Sequence, residues 1–229
     1  LDGVGIDKDD SLYVMAGVTR QVNGRKYDTP PEDVTETLIK VRPGQAKVLS
    51  ANNGLPVPLG AGAQPKRPVD VSGGIGAGGA AWVENAEWMY GGVGAAFVNQ
   101  PAPSCCCWNS RFTLDTFGRS FAPEIRHSSV AVLDTAGNLV LRVGRYGNVD
   151  EGKPLVADAE NPGARSIGPS TGSGQASDEV SLFYAPFVAT HTDRRLYIAD
   201  PGNGRIVGIK LGYSAEEKVP LRGLPDAKK

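Results

Sequence analysis

The chain has 229 residues but only three cysteines and two histidines. The cysteines are consecutive, at Cys105, Cys106 and Cys107, and an odd, clustered set is not the paired framework that holds small secreted domains together. Two histidines, His127 and His191, are few for a metal centre that needs several histidines and carboxylates. The composition therefore excludes a disulfide scaffold and argues against a histidine-rich metal site.

Long apolar runs and an excess of basic residues are also missing. No apolar run approaches the roughly 18 residues of a membrane span, so we expect no such span. Lysine and arginine total 24 against 25 aspartates and glutamates, whereas a nucleic-acid groove needs a basic excess, so we expect no nucleic-acid partner. Hydrophobic residues make up 40% of the chain, and its 30 glycines and 17 prolines are typical of a turn-rich β protein.

Residues 182–211 carry the clearest pattern, LFYAPFVATHTDRRLYIADPGNGRIVGIKL. Three short strand-like runs begin at Phe187, Leu196 and Arg205, and segments rich in turn-forming residues separate them. The pattern predicts three short antiparallel strands. Strands of this length cannot bury a face alone, so they require neighbours of the same kind.

The same pattern occurs in two earlier parts of the chain. When Asp7, Asp115 and His191 are aligned, the next strand begins five residues later each time. Asp115 and Ala131 are 16 residues apart, and so are His191 and Val207. Equal internal spacing is typical of a structural repeat, so we expect these segments to form equivalent antiparallel sheets.

The repeats read VGIDKDDSLYV at residues 4–14 and LYIADPGNGRI at 196–206, and VGRYG at 143–147 supplies a Gly-x-x-Gly link. In these residues the chain resembles the NHL-repeat family, over a little more than half its length. The resemblance implies an all-β fold of β-propeller blades, which are NHL-like four-stranded antiparallel sheets. They would form part of a larger, six-bladed-type ring with long loop insertions. A β-sandwich or jelly roll is the alternative architecture.

We interpret residues 1–229 as a single β-propeller domain or the C-terminal part of one, with insertions at about 17–36, 54–103 and 149–181. Because the last two are rich in glycine and proline and lack alternation, we expect them to lie outside the regular sheets. The clear repeats are fewer than the six blades that the resemblance implies. The expected partners are therefore the remaining blades of a longer chain, or a second protein chain.

The cysteine cluster is the candidate metal site, with His127 as a further ligand. Thiolates bind soft metals, but consecutive residues of an extended chain point to alternate sides, so Cys105, Cys106 and Cys107 cannot all converge without a tight turn. A bound metal ion, a disulfide and inert thiols all remain open. The cofactor is therefore unknown, and a metal ion is the candidate.

Trp108, Arg119 and His191 are candidate ligand-binding residues. His191 aligns with two aspartates at the start of a turn, which also fits a hydrogen-bonded structural role. Aromatic residues could form a ligand platform or fill the core. The other aromatic residues concerned are Trp82, Trp88 and Tyr90.

The repeat pattern without a catalytic constellation favours a non-enzymatic binding or scaffold propeller, periplasmic or secreted, from a bacterium. One alternative is a propeller enzyme of the lyase or lactone-hydrolase type with a metal in its channel, which is an analogy at the level of the fold. Another is a domain of a larger redox protein whose cysteine cluster binds copper.

Overall fold

The computed structural model describes residues 3–27, 33–51, 59–72, 79–98, 110–148 and 180–212. These residues contain no α-helix, so none of them forms a helix that could cross a membrane. The predicted all-β fold is confirmed. The strands are β1 (Gly3–Ile6), β2 (Leu12–Ala16), β3 (Thr19–Val22), β4 (Arg25–Lys26), β5 (Asp33–Val41), β6 (Lys47–Ser50), β7 (Val71–Ser72), β8 (Ala80–Glu84), β9 (Ala86–Val98), β10 (Thr113–Leu114), β11 (Ser120–Glu124), β12 (Ser129–Leu133), β13 (Leu139–Val143), β14 (Arg145–Tyr146), β15 (Ser181–Leu182), β16 (Phe187–His191), β17 (Arg195–Asp200) and β18 (Arg205–Lys210). Short 3-10 turns occur at Ala61–Ala63, Ile125–His127 and Pro201–Asn203.

Two four-stranded antiparallel meanders make up much of the fold. The first sheet consists of β1, β2, β5 and β9 in that order, and the second consists of β10 to β13. A single parallel bridge between Gly94 and Glu124 joins the two into one eight-stranded sheet. The remaining pairs within both meanders are antiparallel.

The third sheet is the antiparallel meander β16–β17–β18. A short parallel pair, β14 with β15, forms a separate two-stranded sheet, in which β14 follows the second sheet along the chain and β15 precedes the third. Residues 112–141 and 187–211 therefore form antiparallel sheets, as their equal spacing predicts.

One turn recurs in all three sheets and occurs twice in the second. It starts at Asp7, Asp115, Asp134 or His191, and the N–H of the fourth residue donates to the carbonyl of the first over 3.0–3.2 Å. Each of the three aspartate carboxylates also accepts two backbone N–H groups over 2.8–3.0 Å. Such Asx turns form locally, which explains why the repeat is recognisable in the sequence.

The first sheet packs face to face on the second. Tyr13, Met15 and Leu38 of the first sheet form one buried cluster with Ala131 and Leu133 of the second. Because alternate residues of a strand point to the same face, these side chains mark one face of each sheet.

The opposite face of the second sheet packs on the third. Phe121 and Val132 of the second sheet form a buried cluster with Leu196 and Ile198 of the third. Tyr13 of the first sheet aligns with Phe121 of the second, because each is the residue after the aligned start of its strand. Each sheet thus presents the same face to the sheet that follows it.

A five-stranded sheet, in the order β4–β3–β7–β8–β6, covers part of the other face of the first sheet. Val71, Ala81 and Val83 of this sheet pack with Ile39 and Val41 of β5. The first sheet is therefore packed on both sides.

The prediction that residues 54–103 lie outside the regular sheets is wrong for their described strands. β8 belongs to the five-stranded sheet, and the 13-residue β9 is the fourth strand of the first sheet. Register shifts between β5 and β9 interrupt the alternation that a sequence pattern needs. Of the other predicted insertions, 17–36 contains the β3–β4 hairpin, whereas 149–179 lies outside the described residues.

Candidate functional site: a cleft between two turns

A small cleft of about 10 Å³, enough for one water molecule, lies where the first turn of the second sheet meets the first turn of the third. Both turns follow the first strand of their sheets, so the repeat places them at the same end of the stack. The polar side chains that line the cleft include Asp115, Arg119, His191, Thr192, Arg194 and Arg195.

Hydrogen bonds between the first strands of the two sheets hold the walls of the cleft together. The Thr190 hydroxyl donates to the carbonyl of Leu114 over 2.8 Å. Its oxygen also lies 3.3 Å from the hydroxyl oxygen of Thr113. The two turns are thus fixed relative to each other directly beneath the cleft.

Arg119 forms one wall of the cleft together with Asp115. Its Nε donates to Asp115 Oδ2 over 2.7 Å, and a second guanidinium nitrogen donates to the same oxygen. The guanidinium carbon also lies 5.1 Å from the centre of the Phe117 ring, which is within the range of a cation–π contact. The Asp115 carboxylate therefore closes its own turn and also orients the arginine.

His191 begins the opposite turn, where the matched turns have aspartate. Its Nδ1 lies 2.8 Å from Asp193 Oδ1 and 3.3 Å from the backbone nitrogen of Asp193. Arg195 Nε donates to the other oxygen of that carboxylate over 2.6 Å. Burial by itself would raise the pKa of Asp193, but the hydrogen bonds from His191 and Arg195 lower it overall.

Arg194 occupies the fourth position of this turn in the left-handed backbone region, with a φ of 65°. The same position is held by Asp10, Gly118 and Gly137 in the other three turns, all with positive φ. Glycine adopts this region without steric cost, whereas a side chain such as that of arginine is strained there. This turn has therefore lost both the aspartate cap and a favourable fourth residue.

The electrostatic balance of the cleft is positive. Among the residues that the structure describes, three guanidinium groups and one imidazole lie around it, against the carboxylates of Asp115 and the adjacent Asp193. Arginine has five N–H donors in a planar fork, so an arginine already bound to one carboxylate retains donors for another group.

Two residues predicted to bind a ligand, Arg119 and His191, thus meet in one cleft. The sequence pattern did not single out Arg194 and Arg195, which lie beside these residues. The signal that could have found them is the alignment of the four turns, since Arg194 falls where two of the others have glycine.

The predicted metal site is described only at His127, which is exposed on the 3-10 turn Ile125–His127. That turn follows the end of β11, whereas Arg119 precedes its start, so His127 and the cleft lie at opposite ends of this strand. Cys105, Cys106, Cys107 and Trp108 lie outside the described residues. Within the described part of the chain, no group of three or more histidine, cysteine, aspartate or glutamate side chains is arranged to hold a metal ion.

Of three aromatic residues considered as a ligand platform, Trp82 and Tyr90 are buried and the half-buried Trp88 packs against the core. The Trp82 indole donates to the carbonyl of Arg67, and Trp88 packs edge-on against Tyr13 with ring centres 5.7 Å apart. Tyr90 is buried between the first two sheets. Trp82, Trp88 and Tyr90 therefore contribute to the packing of the core rather than to a ligand platform.

A buried polar cluster centres on the fully buried Glu124. Its carboxylate accepts hydrogen bonds from the hydroxyls of Tyr90 (2.9 Å) and Ser129 (3.2 Å), and from Arg142 Nε (2.6 Å). Burial, and then the Glu124 charge, raise the pKa of Tyr90 well above its ordinary value. The phenol stays protonated and donates to the carboxylate, so this cluster ties the first sheet to the second.

A second ionic cluster surrounds Asp7. Tyr13 donates to its carboxylate over 3.1 Å, and Lys40 Nζ lies 3.6 Å from Asp7 and 3.0 Å from Glu87. Lys40 also donates to the carbonyl of Thr135 in the second sheet over 3.1 Å. Both ionic clusters therefore link the sheets and do not lie in the cleft.

Comparison with models of known protein families and with curated protein sequences found no match.

Proposed function

We propose that the chain is an NHL-like, β-propeller-type domain that binds a ligand without catalysing a reaction. Three observations support the propeller-type architecture. The three sheets are antiparallel meanders, the same turn follows the first strand of each, and each sheet packs on the next with the same face. Propeller blades are antiparallel sheets arranged around a central channel.

The ligand site in this proposal is the cleft between the second and third sheets. One observation carries it: of the four matched turns in the described residues, the turn with His191 and Arg194 departs from the aspartate start and also carries a strained arginine. Local rules are commonly broken where a protein binds something, because selection then acts on the ligand contact rather than on the turn.

The test is a thermal-shift screen of neutral sugars, short peptides, organic acids and phosphates. Thr192 is exposed and lines the cleft, so Thr192→Trp should block it without changing its charge. A ligand at 100 times its Kd should raise the Tm of the wild-type protein by roughly 5 °C or more and should leave that of Thr192→Trp unchanged.

The matched control is Ala136→Trp. Ala136 is exposed on another copy of the same turn and does not line the cleft, so this variant should respond as the wild-type protein does. The proposal fails if no ligand class shifts the Tm of the wild-type protein, or if Thr192→Trp responds to every hit as strongly as Ala136→Trp.

A further inference from the structure

We infer that the cleft binds an anionic ligand, one that presents a carboxylate or a phosphate group, and that Arg119, His191 and Arg194 are the residues that select it. This inference rests on the proposed function, because it names the ligand class for the same cleft.

The first argument is the charge distribution. Arg119 is paired with Asp115, and both Arg195 and His191 are paired with Asp193. Arg194 adds a fourth basic side chain to the same cleft. The planar fork of arginine matches the oxygen geometry of carboxylates and phosphates and allows two parallel hydrogen bonds. The exposed hydroxyl of Thr192 beside these groups adds a further donor.

The second argument is positional. The strand register places His191, Arg195 and Lys210 directly opposite one another across β16, β17 and β18. All three are exposed and form a basic row at the end of the outward face of the third sheet, and two of them, His191 and Arg195, line the cleft. Three aligned basic side chains attract an anion before it enters the cleft.

The third argument is the left-handed backbone of Arg194. Glycine would relieve the strain at this position, as it does in two matched turns, but glycine would also remove the guanidinium group. Arg194→Gly therefore separates the two roles of the residue, because the variant should be more stable and should bind an anion less well. A loss of binding by a more stable protein cannot be attributed to unfolding.

The chain has two histidines, which provide a built-in pair of probes. His191 lines the cleft, and His127 is exposed at the opposite end of β11. In an NMR titration, inorganic phosphate or citrate should shift the ring signals of His191 and leave those of His127 in place. The two anions separate phosphate from carboxylate preference, and His191→Asp identifies which signal belongs to which histidine.

Affinities for the better anion should then be compared in three proteins. Arg194→Gly should bind roughly tenfold more weakly than wild type, because a charge-assisted hydrogen bond is lost. Arg126→Gln removes an exposed arginine on the 3-10 turn next to His127 and should bind as wild type does. Equal affinities in all three proteins, equal losses in both variants, or equal shifts of both histidines would overturn the inference.

The outcomes also separate this inference from the proposed function. If a neutral ligand bound the wild-type protein and Arg194→Gly equally well but did not bind Thr192→Trp, the proposed function would stand and the anion preference would be overturned. The absence of any ligand sensitive to Thr192→Trp would remove both.

Discussion

Glu124 and Asp200 occupy equivalent positions in two successive sheets, and both carboxylates are fully buried. Each ends the second strand of its sheet and is followed by a 3-10 turn that closes with a left-handed residue, Ser128 or Gly204. The backbone conformations of the two acids are also alike, with φ and ψ of −113° and 81° for Glu124 and −115° and 73° for Asp200. The repeat therefore places a buried acidic residue, as well as a turn, at matching positions in these two sheets.

The two acids are compensated by different partners. Arg142 and Tyr90 bind Glu124, whereas the backbone N–H of Tyr184 and the Asn203 side chain bind Asp200. The first carboxylate therefore joins the second sheet to the first, and the second fastens the third sheet to the segment before it.

Glu124→Ala should lower the free energy of unfolding by about 3 kcal/mol, because it leaves Arg142 and the buried Tyr90 hydroxyl without their acceptor. Glu124→Gln keeps one acceptor oxygen and should cost less than Glu124→Ala. Urea denaturation followed by fluorescence measures both values. A loss below about 1 kcal/mol for the alanine variant would show that the cluster does not hold the sheets together.

Asp7 should make the protein acid-sensitive. Burial alone would raise its pKa, but the N–H groups of Ser11 and Asp9, the Tyr13 hydroxyl and Lys40 lower it below the ordinary value of 3.8. The stabilisation from the ionised Asp7 is therefore fully present above that ordinary value and is lost as the pH falls through the lower folded-state pKa.

Asp7→Asn should accordingly be less stable than the wild-type protein at pH 7, and the difference should shrink as the pH is lowered toward 2. Asp9→Asn, on an exposed carboxylate of the same turn, serves as the control and should follow the wild-type curve. Chemical denaturation at a series of pH values measures this. A constant gap between Asp7→Asn and wild type down to pH 2 would contradict the assignment.

Gly137 and Gly204 should tolerate alanine differently, although both have positive φ. A Cβ on Gly137 would lie 2.6 Å from the ring of Trp88, whereas a Cβ on Gly204 would have no atom within 4 Å. Gly204→Ala should therefore cost only the backbone strain, about 1 kcal/mol. Gly137→Ala should cost about 1–3 kcal/mol more, from overpacking between the first two sheets. Equal losses in denaturation experiments would rule out the close contact with Trp88.

Arg194→Gly should raise the free energy of unfolding by about 1 kcal/mol, because it relieves the left-handed strain. Arg195→Gly, one residue later in β17, should instead lower it, since glycine is unfavourable within a strand. Thermal denaturation of the two variants provides the comparison. A destabilised Arg194→Gly would mean that contacts of the arginine side chain outweigh the strain.

The sequence predicted those parts of the fold that depend on local interactions. The aspartate turns at Asp7 and Asp115 and the strands beside them follow from short-range hydrogen bonds, so their spacing was readable. The long strand β9 could not be predicted, because its glycines are typical of a loop. Gly91 in fact leaves room for Arg20, and Gly94 leaves room for Glu36, so both are fixed by residues far away in the chain.

The candidate site, too, could be predicted only in part from the sequence. Arg119 and His191 could be singled out from the repeat, but their meeting depends on how the second and third sheets pack. Arg194 was not predicted, because what distinguishes it is its positive φ angle, which the sequence does not show. A basic residue in a turn is ordinarily a solvated one, and only the comparison with Gly118 and Gly137 distinguishes it.

The stack of sheets has a direction, because each sheet packs on the next one with the same face. At one end the five-stranded sheet lies against the first sheet. At the other end the outward face of the third sheet exposes Phe187, Tyr197 and Ile206, at 44%, 41% and 75%. A further sheet that packed by the same rule would cover these three side chains, and a change such as Ile206→Lys would oppose that contact without touching either existing core.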